Sequence, residues 1–155
     1  MVRKLQGTVL QSGDAWLLIR GMRTLHLRVA KACENAMALA QYFEGHRHIE
    51  RVLYPGLPSD PGYEVAKRQT KGQFGAMVSL IVKGTEQHAI NVARACQVFY
   101  PATSLGGVES LIEHRKTVSG EGFPVDERLL RLSIGIEDGD DLIHDLDQAL
   151  AHAFD

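Results

Sequence analysis

A chain of 155 residues, 45% apolar and 23% charged, has the make-up of one soluble globular domain with a single core, which argues against disorder, collagen and coiled coil. Its formal charge is −2, without a basic stripe interleaved with aromatics, so no nucleic-acid partner is expected. No apolar run approaches membrane-spanning length, and the start MVRKLQGTVLQSGDAW lacks the apolar stretch and cleavage site of an export signal; the chain reads as cytoplasmic, with no membrane partner.

In chain order, Trp16, Leu17, Ile19, Leu25, Leu27, Val29, Ala36, Leu39 and Ala40 recur at mostly helical intervals. They predict a long helix over 14–43, opened by Asp14 and stopped by Gly45. Gly21 and the β-branched Thr24 predict a bend or break near Gly21. IERVLYPG reads as a short strand ended by Pro55 and Gly56, and the loop GLPSDPG leads to a short helix over 63–69. FGAMVSLIVKG reads as a strand, and TEQHAINVARACQ as a helix capped by Thr85 with Ala89, Val92, Ala93 and Cys96 inward. The strand-like runs VFYPATSL and ESLIEH follow, then the glycine-containing excursion RKTVSGEGFPVDE, the strand RLLRLSIGIE and a last helix over about 140–154. Strands that follow one another without a helix pair antiparallel or splay. The expected fold is therefore α/β in an α+β layout, with a mixed or mostly antiparallel sheet, helices on one face and a long helix in front. Cys33 and Cys96 lie in alanine-rich, helix-like stretches without metal-ligand spacing and read as buried free thiols of a reducing compartment.

Two places could carry chemistry. In LLRLSIGIE the alternation puts Leu130, Leu132, Ile134 and Ile136 on one face and Arg131, Ser133 and Gly135 on the other. The small neighbours leave space above the sheet beside the guanidinium. Arg131 is then either the partner of Glu109 or Glu113 on a neighbouring strand or a bidentate clamp for a small carboxylate, whose geometry its planar fork matches. In YPATSLGGVES, Gly106 and Gly107 either make a turn with Ser104 as a polar turn residue, or let an anion approach the backbone with Ser104 Oγ as a donor.

The remaining polar groups give weaker signals. There is no H-E-x-x-H, and His46 with His48 falls in a loop, so no metal site is expected. His114 reads as a surface histidine at a strand end. EDGDDLIHDL lacks the alternating oxygen ligands of a calcium loop and reads as an acidic helix start. Trp16 is a candidate core or interface anchor.

The segments RGMRTLHLRV, VLYPGLP, SLGGVESLIEH and LLRLSIGIED, in this order and spacing, resemble the carboxy-terminal part of the Cys/Met-metabolism (transsulfuration) enzymes that use pyridoxal phosphate, such as cystathionine γ-synthase, cystathionine γ-lyase and methionine γ-lyase. The resemblance covers essentially the whole chain. It implies the small carboxy-terminal domain of a fold-type-I enzyme, with residues 1–45 as amino-terminal segment and connecting helix and 46–155 as substrate-side domain. It also implies a substrate-binding set of Arg131, Ser104, Leu105 and Gly106, in which Arg131 matches the arginine that takes the substrate α-carboxylate. The cofactor of such an enzyme is pyridoxal 5′-phosphate, and its Schiff-base lysine lies in an S-x-[TS]-K motif upstream of the matching region. No catalytic residue is therefore assigned here, and Lys71, which follows Thr70, reads as a solvent-facing turn lysine. The implied partners are an amino-acid substrate, the large cofactor-binding domain and further copies of the chain. The implied chemistry is elimination or replacement at Cβ or Cγ of sulfur amino acids or activated homoserine, with the chain inactive alone. The alternative is a stand-alone, non-catalytic binding or assembly module that pairs through the first helix. Two departures stand out: Thr103 precedes S-L-G-G where several γ-acting members carry glutamate, and HRK replaces the common HPASMTH.

Overall fold

The computed structural model describes residues 5–120 and 122–155. Residues 12–43 form two helices, α1 (Ser12–Met22) and α2 (Leu25–Phe43). The break falls at Arg23 and Thr24, close to the expected Gly21; Thr24 departs from helical angles with φ −112° and ψ 8°. Interrupting a helix strands carbonyls that the next amides would have satisfied. Arg28 answers here, its guanidinium donating to the Gly21 carbonyl at 3.0 Å and to Thr24 Oγ1. Gln11, not Asp14, is the N-cap; Asp14 lies in the first turn, where its charge complements the helix dipole. Gly45, at φ +81°, stops α2 as expected.

The remaining elements are β1 (Ile49–Leu53), α3 (Tyr63–Thr70), β2 (Met77–Val82), α4 (Glu86–Ala95), β3 (Tyr100–Pro101), β4 (Leu111–His114), α5 (Arg115–Ser119), β5 (Leu129–Ser133) and α6 (Gly139–Phe154). The strands make one mixed sheet in the order β1-β2-β5-β4-β3, antiparallel except for the parallel β3–β4 edge. The run VFYPATSL supplies only the two residues of β3, because Pro101 offers the ladder no amide and the chain then leaves the sheet as a loop. α5 is a short helix inside the expected excursion.

One face of the sheet, with Val78, Leu80, Val82, Ile112, Leu130, Leu132 and Ile134, meets Ala36, Leu39, Ala40 and Phe43 of α2, Ala89 and Val92 of α4, and Leu142, Leu146, Ala149 and Leu150 of α6. Burying each large aliphatic side chain in this layer contributes about 1.5–3 kcal/mol. Ile136 was expected on this face and is exposed instead, because β5 ends at Ser133 and the alternation ends with it. Thr85 opens α4 as expected, and its N–H donates to His88 Nδ1 at 3.1 Å, so a histidine does what glutamate does in the usual capping box.

The acidic start of α6 does more than complement a dipole. Asp138 accepts the Asp140 N–H as N-cap. Asp145, buried about two turns further on, accepts the backbone N–H groups of Gln97 at 2.7 Å, Val98 at 2.8 Å and Phe99 at 3.0 Å. It thereby holds the link between α4 and β3. Cys33 is buried and Cys96 partly so, both as free thiols. Burial, helped by the nearby Asp145 charge, pushes the Cys96 thiol up to about 12.

α1 buries none of its residues. Trp16, Leu17, Leu18 and Ile19 are 56–59% exposed, and Arg20 lies over the Trp16 ring at 5.5 Å, so Trp16 is no core anchor. Among the described residues no helix is long and apolar enough to cross a membrane.

Candidate substrate-carboxylate site

The S-L-G-G loop is fastened to β5 from three directions. The Gly106 N–H donates to Ser133 Oγ at 3.2 Å, which ties the loop to the residue two along from Arg131 on the same face. The Ile136 N–H donates to the Val108 carbonyl at 3.0 Å. The Gly135 N–H donates to Ser110 Oγ at 2.8 Å, while Glu137 takes the Ser110 N–H at 2.6 Å and its hydroxyl at 2.7 Å. Behind them, Asn35 of α2 donates to the carbonyls of Gly135 at 3.2 Å and Glu137 at 2.8 Å. The loop's position is set by hydrogen bonds more than by packing.

Two glycines have different reasons. Gly106 sits at φ +105° with open space around it, so its requirement is conformational. Gly135 has no positive φ, but a Cβ there would stand 2.2 Å from the Val108 carbonyl oxygen. This corrects the expected empty space above β5: the backbone of Val108 and Glu109 fills it, and Ser133 is likewise buried beneath the loop.

Arg131 faces Glu113 across the β4–β5 ladder. Its Nη1 donates to Glu113 Oε1 at 3.3 Å, and Nη2 reaches only the Met77 sulfur at 3.9 Å. The ion pair with Glu113, one of the two sequence readings, is present. It engages one nitrogen, and the guanidinium side chain remains 24% exposed. A donor edge is left over, so pair and clamp are compatible on geometry. Glu113, 3% exposed at its side chain, also accepts a 2.8 Å bond from Arg115 on the same oxygen, Oε1. Its Oε2 is buried without a hydrogen-bond partner among the described residues.

A cavity of about 360 Å³ lies beside the loop, between Leu105, Gly106 and Gly107 on one side and Leu25, Arg28, Val29 and Cys33 of α2 on the other. Leu105 is 81% exposed and Ser104 partly buried. Neither Arg131 nor Ser104 lines this cavity, so the four residues expected to bind substrate do not enclose one pocket. His114 is buried, against expectation: Nε2 donates to the Glu127 carbonyl at 2.6 Å and Nδ1 lies 2.6 Å from Thr117 Oγ1. It pins both ends of the excursion that follows β4. Lys71 is exposed at φ 54° and caps the end of α3, as a turn lysine would.

Sequence reasoning missed Arg115, Asn35 and the Ser110–Glu137 pair. Asn35 did leave a signal, as a polar residue on the apolar stripe of Ala32, Ala36 and Leu39. Arg115 left none, because β4 ends at His114 and Arg115 already opens α5.

A mixed sheet with helices packed on it, with an arginine on the strand to which a glycine loop is fastened, defines an α/β domain. More narrowly, the pattern of the Cys/Met metabolism PLP-dependent enzymes matches residues 1–151, and the chain belongs to that family. It is 47% identical over 142 residues to the cystathionine gamma-synthase of Mycobacterium tuberculosis, covering 88% of this chain and 36% of that protein. It is 43% identical over 152 residues to the cystathionine beta-lyase of Coxiella burnetii, covering 93% and 39%. The crystal structure of cystathionine gamma-lyase from yeast superposes with a TM-score of 0.88 at 37% identity, over 97% of this chain and 41% of that one. The chain thus spans little more than a third of the length of the curated relatives it matches.

Proposed function

We propose that this chain is the carboxy-terminal, substrate-side part of a transsulfuration-type enzyme, and that Arg131 receives the α-carboxylate of an amino-acid substrate. One observation carries this reading: Arg131 gives Glu113 a single nitrogen and keeps a partly exposed donor edge on the face where Ser133 fastens the S-L-G-G loop. A carboxylate accepts two parallel N–H bonds from such an edge. Ser104, partly buried at the head of the loop, supplies a hydroxyl donor. Leu105 and Gly106 form the adjoining wall. Fixing the carboxylate orients the amino acid so that the bond to be broken keeps one angle to its surroundings.

Pyridoxal phosphate, when bound, draws electrons from the bonds at the substrate α-carbon. The residues present fit the substrate end of such a site and not the cofactor end: Lys71, the one lysine preceded by threonine, caps α3 in solvent. We assign the cofactor to a large domain of the complete enzyme and expect this chain alone to be inactive. γ-Synthase, γ-lyase and β-lyase relatives match at similar identity, so the reading stops at elimination or replacement at Cβ or Cγ.

The test is a chimera in which this chain replaces the equivalent region of the M. tuberculosis γ-synthase. Cofactor retention and turnover are expected. Arg131→Lys should lower kcat/KM about tenfold to a hundredfold or more, the equivalent of about 1.5–3 kcal/mol for a lost charge-assisted bond, with cofactor content unchanged. A folded, cofactor-loaded chimera whose kinetics ignore Arg131→Lys, while its melting temperature falls, would leave only the structural ion pair.

A further inference from the structure

Resting on the carboxylate reading of Arg131, we propose that Arg115, acting through Glu113, sets the charge that Arg131 presents to an anionic ligand. A lone Arg131–Glu113 pair is neutral, and a neutral pair attracts a second carboxylate weakly, because Glu113 repels what Arg131 attracts. The structure holds a triad instead: two guanidinium groups share one carboxylate and leave one net positive charge.

The geometry favours Arg115 as the partner that Glu113 satisfies best. Both arginines bond to Oε1, Arg115 at 2.8 Å and Arg131 at 3.3 Å. Oε2 stays buried without a partner among the described residues, so Glu113 has not closed a two-oxygen fork on Arg131. Such a fork would take both parallel donors of the guanidinium and compete directly with a ligand. Arg115 thus draws the carboxylate away from Arg131, and Glu113 keeps the Arg131 guanidinium in place through one nitrogen. Arg115 and Glu113 are positioning residues, and of the three only Arg131 touches the ligand. The Arg115 side chain is 32% exposed, so its effect is screened by salt rather than buried from it.

The experiment uses the chain itself, labelled with ¹⁵N-arginine. The Arg131 Nε–H signal is assigned through its loss in Arg131→Lys, and sodium acetate is titrated against sodium chloride at constant ionic strength. In the wild type acetate should move the Arg131 signal saturably. Arg115→Gln, which makes the group neutral, should raise the acetate Kd about three- to tenfold, the effect of one partly screened charge several ångströms away. Glu113→Gln should lower Kd by a similar factor. The double variant restores one net positive charge and should return toward the wild type.

A purely structural role gives a different pattern, with both single variants weakening binding and the double variant weakening it most; that pattern overturns the proposal. Saturable acetate binding with an unchanged Kd in Arg115→Gln also overturns it, while leaving the carboxylate reading standing. If acetate never moves the Arg131 signal in the wild type, the carboxylate reading falls and this inference falls with it. Should Glu113→Gln fail to fold, Arg115→Gln decides alone, since its side chain is partly in solvent and Glu113 keeps Arg131 as an ion-pair partner after the substitution.

Discussion

A methyl group on Gly135 would stand 2.2 Å from the carbonyl oxygen of Val108. The obstacle is backbone, so no side chain can rotate to make room. Gly135→Ala should therefore push the limb of the S-L-G-G loop off β5 and break the Ile136–Val108 hydrogen bond. The expected cost is about 1–3 kcal/mol, or a melting temperature lower by several degrees for a chain of this size. Amide shifts confined to 104–110 and 133–137 would show that the damage is local. A Gly135→Ala protein as stable as the wild type, with unchanged shifts there, would contradict this contact.

Asp145 should prove one of the most sensitive polar positions. Its carboxylate satisfies three backbone N–H groups of 97–99 from inside the core. Asp145→Ala leaves at least two donors without partners at about 1–3 kcal/mol each. Chemical denaturation should register a loss of at least about 2 kcal/mol, with Asp145→Asn intermediate because one acceptor oxygen remains. Equal stability of Asp145→Ala and the wild type would show that water replaces the carboxylate.

Acid sensitivity should include a contribution from His48. Its ring stacks on Phe154 at 4.3 Å, and burial, with lesser help from Arg47 and His46, holds it below the ordinary 6.5 against the opposing Asp147 and Asp155 charges. The unfolded chain thus takes up this proton first. The associated stability is fully present above 6.5 and is lost as pH falls from there through the lower folded value. Melting curves between about pH 7.5 and 5.5 should fall less steeply for His48→Phe, which keeps the stack and cannot titrate. Parallel curves for the two proteins would remove His48 from the account.

Self-association is expected of the isolated chain. Trp16, Leu17, Leu18 and Ile19 form an apolar stretch in solvent on a helix that buries nothing, and contiguous exposed patches of this kind drive association. Sedimentation at several concentrations should show a mass that rises with concentration, and Leu17→Lys with Leu18→Glu should suppress the rise. A monomer at every concentration would mean that the patch is tolerated in water.

The fold was legible where one local rule decided each element. Alternation placed Leu130, Leu132 and Ile134 correctly, Gly21 with Thr24 foretold the helix break to within a few residues, and Thr85 marked the start of α4. It was illegible where distant backbone decides. Nothing near Gly135 in the chain says that Val108 will lie against it, and nothing near Asp145 says that three amides about 47 residues earlier will need an acceptor. At the site, register made Glu113 foreseeable as a partner of Arg131. Arg115 was not, because its approach depends on α5 turning out of the strand directly after His114.

The Arg28 bridge across the broken helix has a mechanical meaning. Since α1 contributes no buried residue, the side-chain bonds from Arg28 to Gly21 O and Thr24 Oγ1 brace it from across the break, and its fraying would leave the core untouched. The chain should then behave as two cooperative units. Amides of residues 12–22 should exchange with solvent through local opening, orders of magnitude faster than those of 36–43, which open only when the whole domain unfolds. A segment uncoupled in this way can be repositioned against whatever it meets without any change in the stability of the sheet behind it.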